Sequence, residues 1–387
     1  MNKVTTDKIQ ELIDYDGGEV ISIYIPTHRH SSPPHMQEDQ TRFKNNLKQA
    51  VDDWSRRGND EKLIAGSVES LESLADDLSF WQNTTESLAI FINSDEFILF
   101  HLPIECEEQV WIADKYNVVP LLAVDNLNAD YYVLALAMHE PKLLKGDLYG
   151  LSELDLALPK SPEDALNIDE LHANSKTSRS HQGGGASSPH GEGDSSEAGN
   201  QERIQYFRLI EEVILTSDDY SVQAPILLAG TDSEVGDFRA GTRLQGLIQG
   251  WYIAGNHTET STQDLHKLAK KLIHSACVEP EWTEMLEQLG NMSGTGKSSI
   301  NINEITEAAE LGRVESLIVP IFDVTRDSIG DVSGGDPAMI IRQLDSKSIK
   351  GIIEAATYVV RQSGQVYCIE TDEYLPDGTK LAAIYRY

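Results

Sequence analysis

The sequence predicts an α/β protein built from three α/β domains, spanning residues 1–125, 126–276 and 277–387. Three observations carry this. Short β-branched runs alternate with amphipathic helical stretches along the whole chain, the pattern that α/β architecture requires. Polar breaks interrupt that alternation at "AVDNLNADYY" and after the helical stretch ending near Cys277. A length of 387 residues with 40% apolar content is enough for two or three separate cores.

The first segment opens its sheet with "EVISIYIPT", in which Ile21, Ile23 and Ile25 alternate onto one face of a strand. The loop "HRHSSPPHMQ" follows, with Pro33-Pro34 predicting an extended, stiff path. Next, "DQTRFKNNLKQAVDDWSRR" places Phe43, Leu47, Ala50 and Trp54 on one helical face, with Asp39 as the expected N-cap. "EKLIAGSVESLESLADDLSFW" is a second amphipathic helix, and "SLAIFINSDEFILFHLP" is a hairpin turning near Asn93-Ser94-Asp95. "EQVWIA" and "NVVPLLAV" complete the segment.

In the second segment, "YYVLALAMHEPKLLKGDLYGLSELDLAL" reads as a meander of three short strands. A glycine- and serine-rich loop over 174–200 comes next, too polar to build a core, and Ser178 to Ala198 within it is expected to be disordered in the free protein. The amphipathic helix "ERIQYFRLIEEVIL", the buried strand "PILLAGT" and the shorter strand "WYIAGN" follow, then the helical "DLHKLAKKLIHSACV" and "EWTEMLEQLG". The third segment repeats helix and strand in "ININEITEAAELGRVESLIVPIF", turning at Gly312, and again in "SKSIKGIIEAATYVVRQSGQVYCIE", with Gly364 ending the helix. "YLPDGTKLAAIYRY" is expected to close the chain as a hairpin around Asp377-Gly378.

Charge constrains function. With 63 acidic and 31 basic residues the net charge is −32, so most of the surface should repel nucleic acid, and any RNA contact needs a local cationic patch or a delivering protein partner. No apolar run approaches the roughly 20 residues of a membrane helix. "MNKVTTDKIQELIDYDGG" lacks the apolar stretch of a signal peptide. Cys106, Cys277 and Cys368 lie far apart in apolar or helical contexts, which reads as buried, reduced thiols and a cytoplasmic location, with no membrane partner.

Three motifs could carry chemistry. "NMSGTGKSS" resembles a phosphate-binding loop, but Asn291 stands where that pattern needs glycine and a helix precedes it, so it reads as an inter-helix loop. "THRHSSPPHMQ" brings His28, Arg29, His30 and His35 together ahead of Arg42, Lys44, Lys48, Arg56 and Arg57, the densest cationic stretch of the chain. No carboxylate or cysteine completes a familiar metal spacing there. Either the loop is simply solvated, or its imidazole and guanidinium groups stack on bases and bond phosphates. In the long loop, Arg179, His181, Gln182, Gly183, Gly184 and Gly185 form a cationic first half before the anionic "GEGDSSEAG". The glycines would allow close backbone approach to another surface, or the whole is a tolerated insertion. No nucleophile elbow, paired carboxylates or clustered cysteines occur, so no catalytic residue, metal or cofactor is assigned.

Taken in order, these stretches resemble archaeo-eukaryotic class-one peptide-chain release factors and their Pelota-like bacterial relatives. The likeness runs through "VISIYIPT" with "FKNNLKQA", then "YYVLALAMHEPKLLKGD", "ERIQYFRLIEEVI" and "PILLAGTDSEVGDFR", then "ITEAAELGRVESLIVP", "KGIIEAATYVV" and "AAIYRY". The resemblance implies a tRNA-shaped arrangement. Its first domain inspects the decoding centre, and a ribonuclease-H-like middle domain carries a loop to the peptidyl-transferase centre. The third domain binds a translational GTPase or another partner. On this likeness His28, Arg29, His30, His35, Arg42 and Lys44 are the expected decoding-centre contacts, and Arg179 to Gly185 the expected peptidyl-transferase-centre contacts. Release factors place glutamine after two glycines, whereas "HQGGGA" places Gln182 before three, and the family's codon-reading residues are absent. The resemblance therefore implies a non-enzymatic hibernation factor in the A site of the 70S ribosome, contacting ribosomal RNA and partnered by elongation factor Tu. The alternative is a rescue factor that hydrolyses peptidyl-tRNA through Gln182.

Overall fold

The computed structural model describes residues 2–29, 32–165, 194–257, 259–320, 346–369 and 381–387. It is an α/β protein with three sheets, each drawing its strands from one of the three segments. By their contacts the residues divide into two units, one formed by Met1–Leu127 with Trp282–Tyr387, the other by Asn128–Glu281.

The discontinuous unit holds two sheets. In the first, β1 (Val20–Pro26), β2 (Ser87–Ile92), β3 (Phe97–Leu102) and β4 (Gln109–Ala113) lie in the order β3-β2-β1-β4, antiparallel throughout. Ile21, Ile23 and Ile25 alternate into a core against Phe43, Leu47, Ala50 and Trp54 of α2 (Pro33–Arg56) and against Trp81. Asn93 turns the β2–β3 hairpin, its Oδ1 accepting from the amides of Asp95 and Glu96 at 2.8 Å each. Helices α1 (Thr6–Asp14), α3 (Ala65–Ala75), α4 (Leu78–Gln82) and α5 (Val119–Leu127) complete this part.

Two expectations for α2 are corrected. The helix begins at Pro33, with Ser32 as its N-cap and prolines in its first turn. The fixed φ of proline suits that position, and its missing N–H is one the helix would leave unbonded anyway, so Pro33-Pro34 start a helix instead of stiffening a loop. Asp39 therefore lies inside the helix, fully buried, and is not its cap.

The Asn128–Glu281 unit holds a five-stranded sheet ordered β7-β6-β5-β8-β9. The expected meander is present as β5 (Tyr131–Ala135), β6 (Lys142–Gly146) and β7 (Leu151–Glu153), while β8 (Ile226–Gly230) pairs with β5 in parallel and β9 (Leu247–Ala254) with β8 in parallel. Period-two alternation covers both faces. Tyr132 and Leu134 pack with Tyr206, Phe207 and Ile210 of α6 (Asp194–Leu215) and Phe238 of α7 (Asp232–Gly241). Tyr131, Val133 and Ala135 pack on Leu265, Ala269 and Ile273 of α8 (Thr262–Ile273). Helix α6 starts at Asp194, inside the stretch expected to be irregular to residue 200.

The third sheet, ordered β10-β13-β11-β12, follows helix α9 (Glu279–Met292). Strand β10 is Ser298–Ser299, β11 is Val314–Pro320, β12 is Gln365–Ile369 and β13 is Ala382–Tyr385, with α10 (Ile302–Glu310) and α11 (Ser346–Arg361) packed together beside them. The expected closing hairpin lies partly outside the described residues. The observed partners of β13 are β11 and β10, one on each side. Gly364 is not the left-handed residue at the end of α11. Ser363 takes that conformation with φ 58°, and a Cβ on Gly364 would meet Val359 Cγ1 at 2.7 Å, so glycine serves close packing there. Cys106 and Cys368 are buried thiols as expected, whereas Cys277 is only half-buried.

Within this unit the first and third segments touch. Arg361 donates to the Ile13 carbonyl at 2.5 Å, and Cys368 Sγ lies 3.8 Å from the Val119 carbonyl. Between α5 and α11 is a mainly apolar cavity of about 110 Å³, lined by residues including Cys106, Val119, Ala123, Ile349, Ile352 and Ile353.

Candidate functional site

The expected first-segment contacts sit where β1 runs into α2. Thr27 prolongs the β1–β2 pairing, its amide donating to the Glu86 carbonyl at 2.8 Å and its hydroxyl to the Thr85 carbonyl at 2.7 Å. The chain then turns over Asp39. The His28 amide donates to Asp39 Oδ2 at 2.9 Å, and His28 Nδ1 lies 2.9 Å from Asp39 Oδ1. Thr84 Oγ1 donates to the His28 carbonyl at 2.9 Å. One fully buried carboxylate and one threonine thus hold both ends of the His28 peptide.

Four of the six expected residues belong to this small area. The His35 ring stacks on that of His28, with centroids 4.3 Å apart and planes inclined by 11°. Arg42 reaches Asp39 Oδ1 at 3.4 Å, the Pro26 carbonyl at 2.9 Å, Glu38 at 2.7 Å and Glu108 at 3.4 Å. Arg29 makes a two-pronged pair with Glu86, both bonds 2.9 Å. Lys44 points elsewhere, to Asp76 at 2.8 Å. His30 lies outside the described residues, as do Arg179, His181, Gln182, Gly183, Gly184 and Gly185.

Electrostatically this is no free cationic patch. Arg29, Arg42, Lys44, Arg56 and Arg57 each have a carboxylate within 4 Å. Counting basic residues misses Glu86, Glu108 and Asp76, which approach from other elements. What the area offers an incoming ligand is a planar imidazole pair, with His35 exposed, beside guanidinium groups that could exchange a carboxylate for a phosphate. Among the described residues no cluster of histidine, cysteine and carboxylate groups could hold a metal ion, and no described helix is long and apolar enough to cross a membrane.

Residues 129–275 match the model of bacterial archaeo-eukaryotic release factor family 6, and the match coincides with the Asn128–Glu281 unit. The likeness to the bacterial archaeo-eukaryotic release factor family is therefore a property of that unit, and the match does not extend over the rest of the chain. Solved structures similar to it include an archaeal translation termination factor, at 12% identity over 98% of this chain and 96% of that one, with a TM-score of 0.23. Archaeoglobus fulgidus Pelota is 11% identical over 78% and 79%, TM-score 0.33. A ribosome-bound archaeal Pelota is 11% identical over 100% and 95%, TM-score 0.34. No curated protein matches the sequence.

Proposed function

We propose that this chain binds the 70S ribosome, occupies its A site and blocks translation under stress without cleaving peptidyl-tRNA. The observation that carries the reading is the release-factor family match over residues 129–275, joined to a glycine-rich loop whose glutamine stands before the glycines and not after them. This is the mode of action of Pelota-like hibernation factors such as Balon. His28, Arg29, His30, His35, Arg42 and Lys44 contact the decoding centre, and Arg179 to Gly185 contact the peptidyl-transferase centre. Elongation factor Tu is the delivering partner. A net charge of −32 and cations already paired with carboxylates both favour assisted delivery over unaided attraction to RNA.

The test is co-sedimentation of the full chain with 70S ribosomes, with and without elongation factor Tu, alongside a peptidyl-tRNA release assay. The expected result is binding strengthened by the factor, with no release, and no change on Gln182→Ala. Failure to bind overturns the reading. Release that Gln182→Ala abolishes would make the protein a hydrolase, since positioning the attacking water is a large contribution to rate.

A further inference from the structure

We infer that one end of the third sheet is an RNA-binding surface, formed by Lys297, Arg313, Arg386 and Tyr387 around the turn Gly294–Lys297. The backbone brings these residues together. The Tyr385 amide donates to the Lys297 carbonyl at 2.9 Å, and the Arg386 amide donates to the Arg313 carbonyl at 2.8 Å. Three cations thereby reach the same sheet end from three separate stretches of sequence.

Their surroundings are the reverse of those at the start of α2. Among the described residues, Lys297, Arg313 and Arg386 have no carboxylate within ion-pair distance, in a chain where acidic residues outnumber basic ones 63 to 31. Glu304, on the adjoining α10, accepts from Ser299 Oγ at 2.6 Å. The Arg313 guanidinium lies over two rings, 5.6 Å from the centroid of Tyr385 and 5.9 Å from that of Tyr387. The Arg386 guanidinium donates to the Gln362 carbonyl at 2.8 Å. Tyr387 is 69% exposed. An arginine held between aromatic faces with one ring open to solvent is a platform for a base, and the neighbouring cations suit its phosphates.

The turn adds backbone donors. Gly294 and Gly296 take positive φ, 73° and 76°, and nothing lies within 4 Å of where their Cβ atoms would be. The Ser293 and Thr295 amides bond back to the Leu289 and Met292 carbonyls at 3.1 Å, while those of Gly294 and Gly296 have no partner among the described residues. The Gly294 and Gly296 amides, separated by one residue in this exposed turn, are backbone donors of the kind that bind anions. The "SGTGKSS" stretch thus contributes to a phosphate-binding surface without the strand and leading glycine of a nucleotide-binding loop. Exposed aromatic stacking beside open glycine amides fits RNA better than an acidic protein, which needs the cations alone. The inference rests on the ribosome reading only for which RNA is met in the cell.

The experiment measures binding of a short, unstructured, fluorescein-labelled oligoribonucleotide to the full chain by anisotropy, across a salt series, with poly-glutamate as competitor. Ribosome co-sedimentation runs in parallel. Replacing Lys297, Arg313 and Arg386 together by glutamine should weaken oligonucleotide binding at least tenfold. It should also flatten the salt slope by about 2, at ~0.7 for each phosphate no longer neutralised. Because Arg313 packs on the core ring of Tyr385, the pair Lys297→Gln and Arg386→Gln is tested as well, with circular dichroism as the folding control, and Tyr387→Leu should weaken binding with no change in slope. A folded double variant with unchanged affinity and slope overturns the inference. So does a wild type that binds no oligonucleotide, or one that prefers poly-glutamate, which would mark a protein-docking surface. Oligonucleotide binding without ribosome binding overturns the proposed function and leaves this surface standing.

Discussion

Asp39 faces His28 with both carboxylate oxygens, one taking the backbone amide and the other the ring nitrogen, each at 2.9 Å. A single acidic side chain buried in α2 therefore fixes the path of the loop that leaves β1. It also sets the angle at which the His28 and His35 rings meet solvent.

Replacing Asp39 by alanine leaves the part-buried His28 amide unpaired and frees Arg42 from one of its partners. We expect a loss of about 1–3 kcal/mol in denaturant unfolding, the usual cost of orphaning buried polar groups. Glu86→Gln, which touches the partly exposed Arg29, should cost less than about 1 kcal/mol. Equal losses in the two variants would mean that Asp39 does not organise the loop.

Alanine at His28, Arg29 and His30 together should weaken ribosome binding and leave the fold intact. Each hydrogen bond to a charged group is worth about 1.5–3 kcal/mol, so the affinity should fall at least tenfold. The salt dependence of co-sedimentation should flatten as fewer counterions are released. An unchanged affinity and slope in a folded triple variant would reduce the loop to a solvated surface.

His101 gives a pH signature. Its ring is buried, and Nδ1 has no hydrogen-bond partner. Burial pushes its pKa down from 6.5 to about 4. The native state thus holds the neutral ring where the unfolded chain would be protonated. Stability is present in full above pH 6.5 and is lost as the pH falls toward 4. His101→Phe should remove this part of the acid sensitivity, read as a flatter dependence of the unfolding midpoint on pH between 6.5 and 4.

Gly351 lies where α10 and α11 come close, and a Cβ there would meet Ile302 Cγ1 at 2.9 Å. Gly351→Leu should therefore destabilise the fold by about 1–3 kcal/mol through overpacking, despite leucine's better helix propensity. A thermal midpoint at or above that of the wild type would show that the two helices can separate without cost.

What is legible in the sequence is periodic. Ile21, Ile23 and Ile25 announce their strand, Phe43 to Trp54 their helical face, and Tyr131 to Ala135 a strand covered on both sides, because alternation reports burial directly. Local chemistry with two meanings misleads. Proline after serine reads as an extended loop or as a first helical turn, and Asp39 reads as a cap or as a buried acceptor. Only packing against β1 decides between them. The pairing of the cations is not legible either, since Arg29 finds Glu86 and Lys44 finds Asp76 across long stretches of sequence. The cations at the end of the third sheet, which have no carboxylate partner among the described residues, are hidden for the same reason, being assembled by strand pairing from Lys297, Arg313 and Arg386.

The discontinuous unit has a consequence for synthesis. As the chain emerges from its N-terminal side, Val119 and Ala123 of α5 present an apolar wall of a cavity whose other wall, Ile349, Ile352 and Ile353, is made much later. The whole Asn128–Glu281 unit is translated in between and has its own two-sided core to collapse around. Closing so long an excursion adds little entropy beyond that of a shorter one, and less still once the intervening residues have compacted. The contacts that join the first and third segments therefore form only after the middle unit has been made. A nascent chain halted before α11 would display a sticky, half-finished α5 face, the kind of surface that chaperones bind.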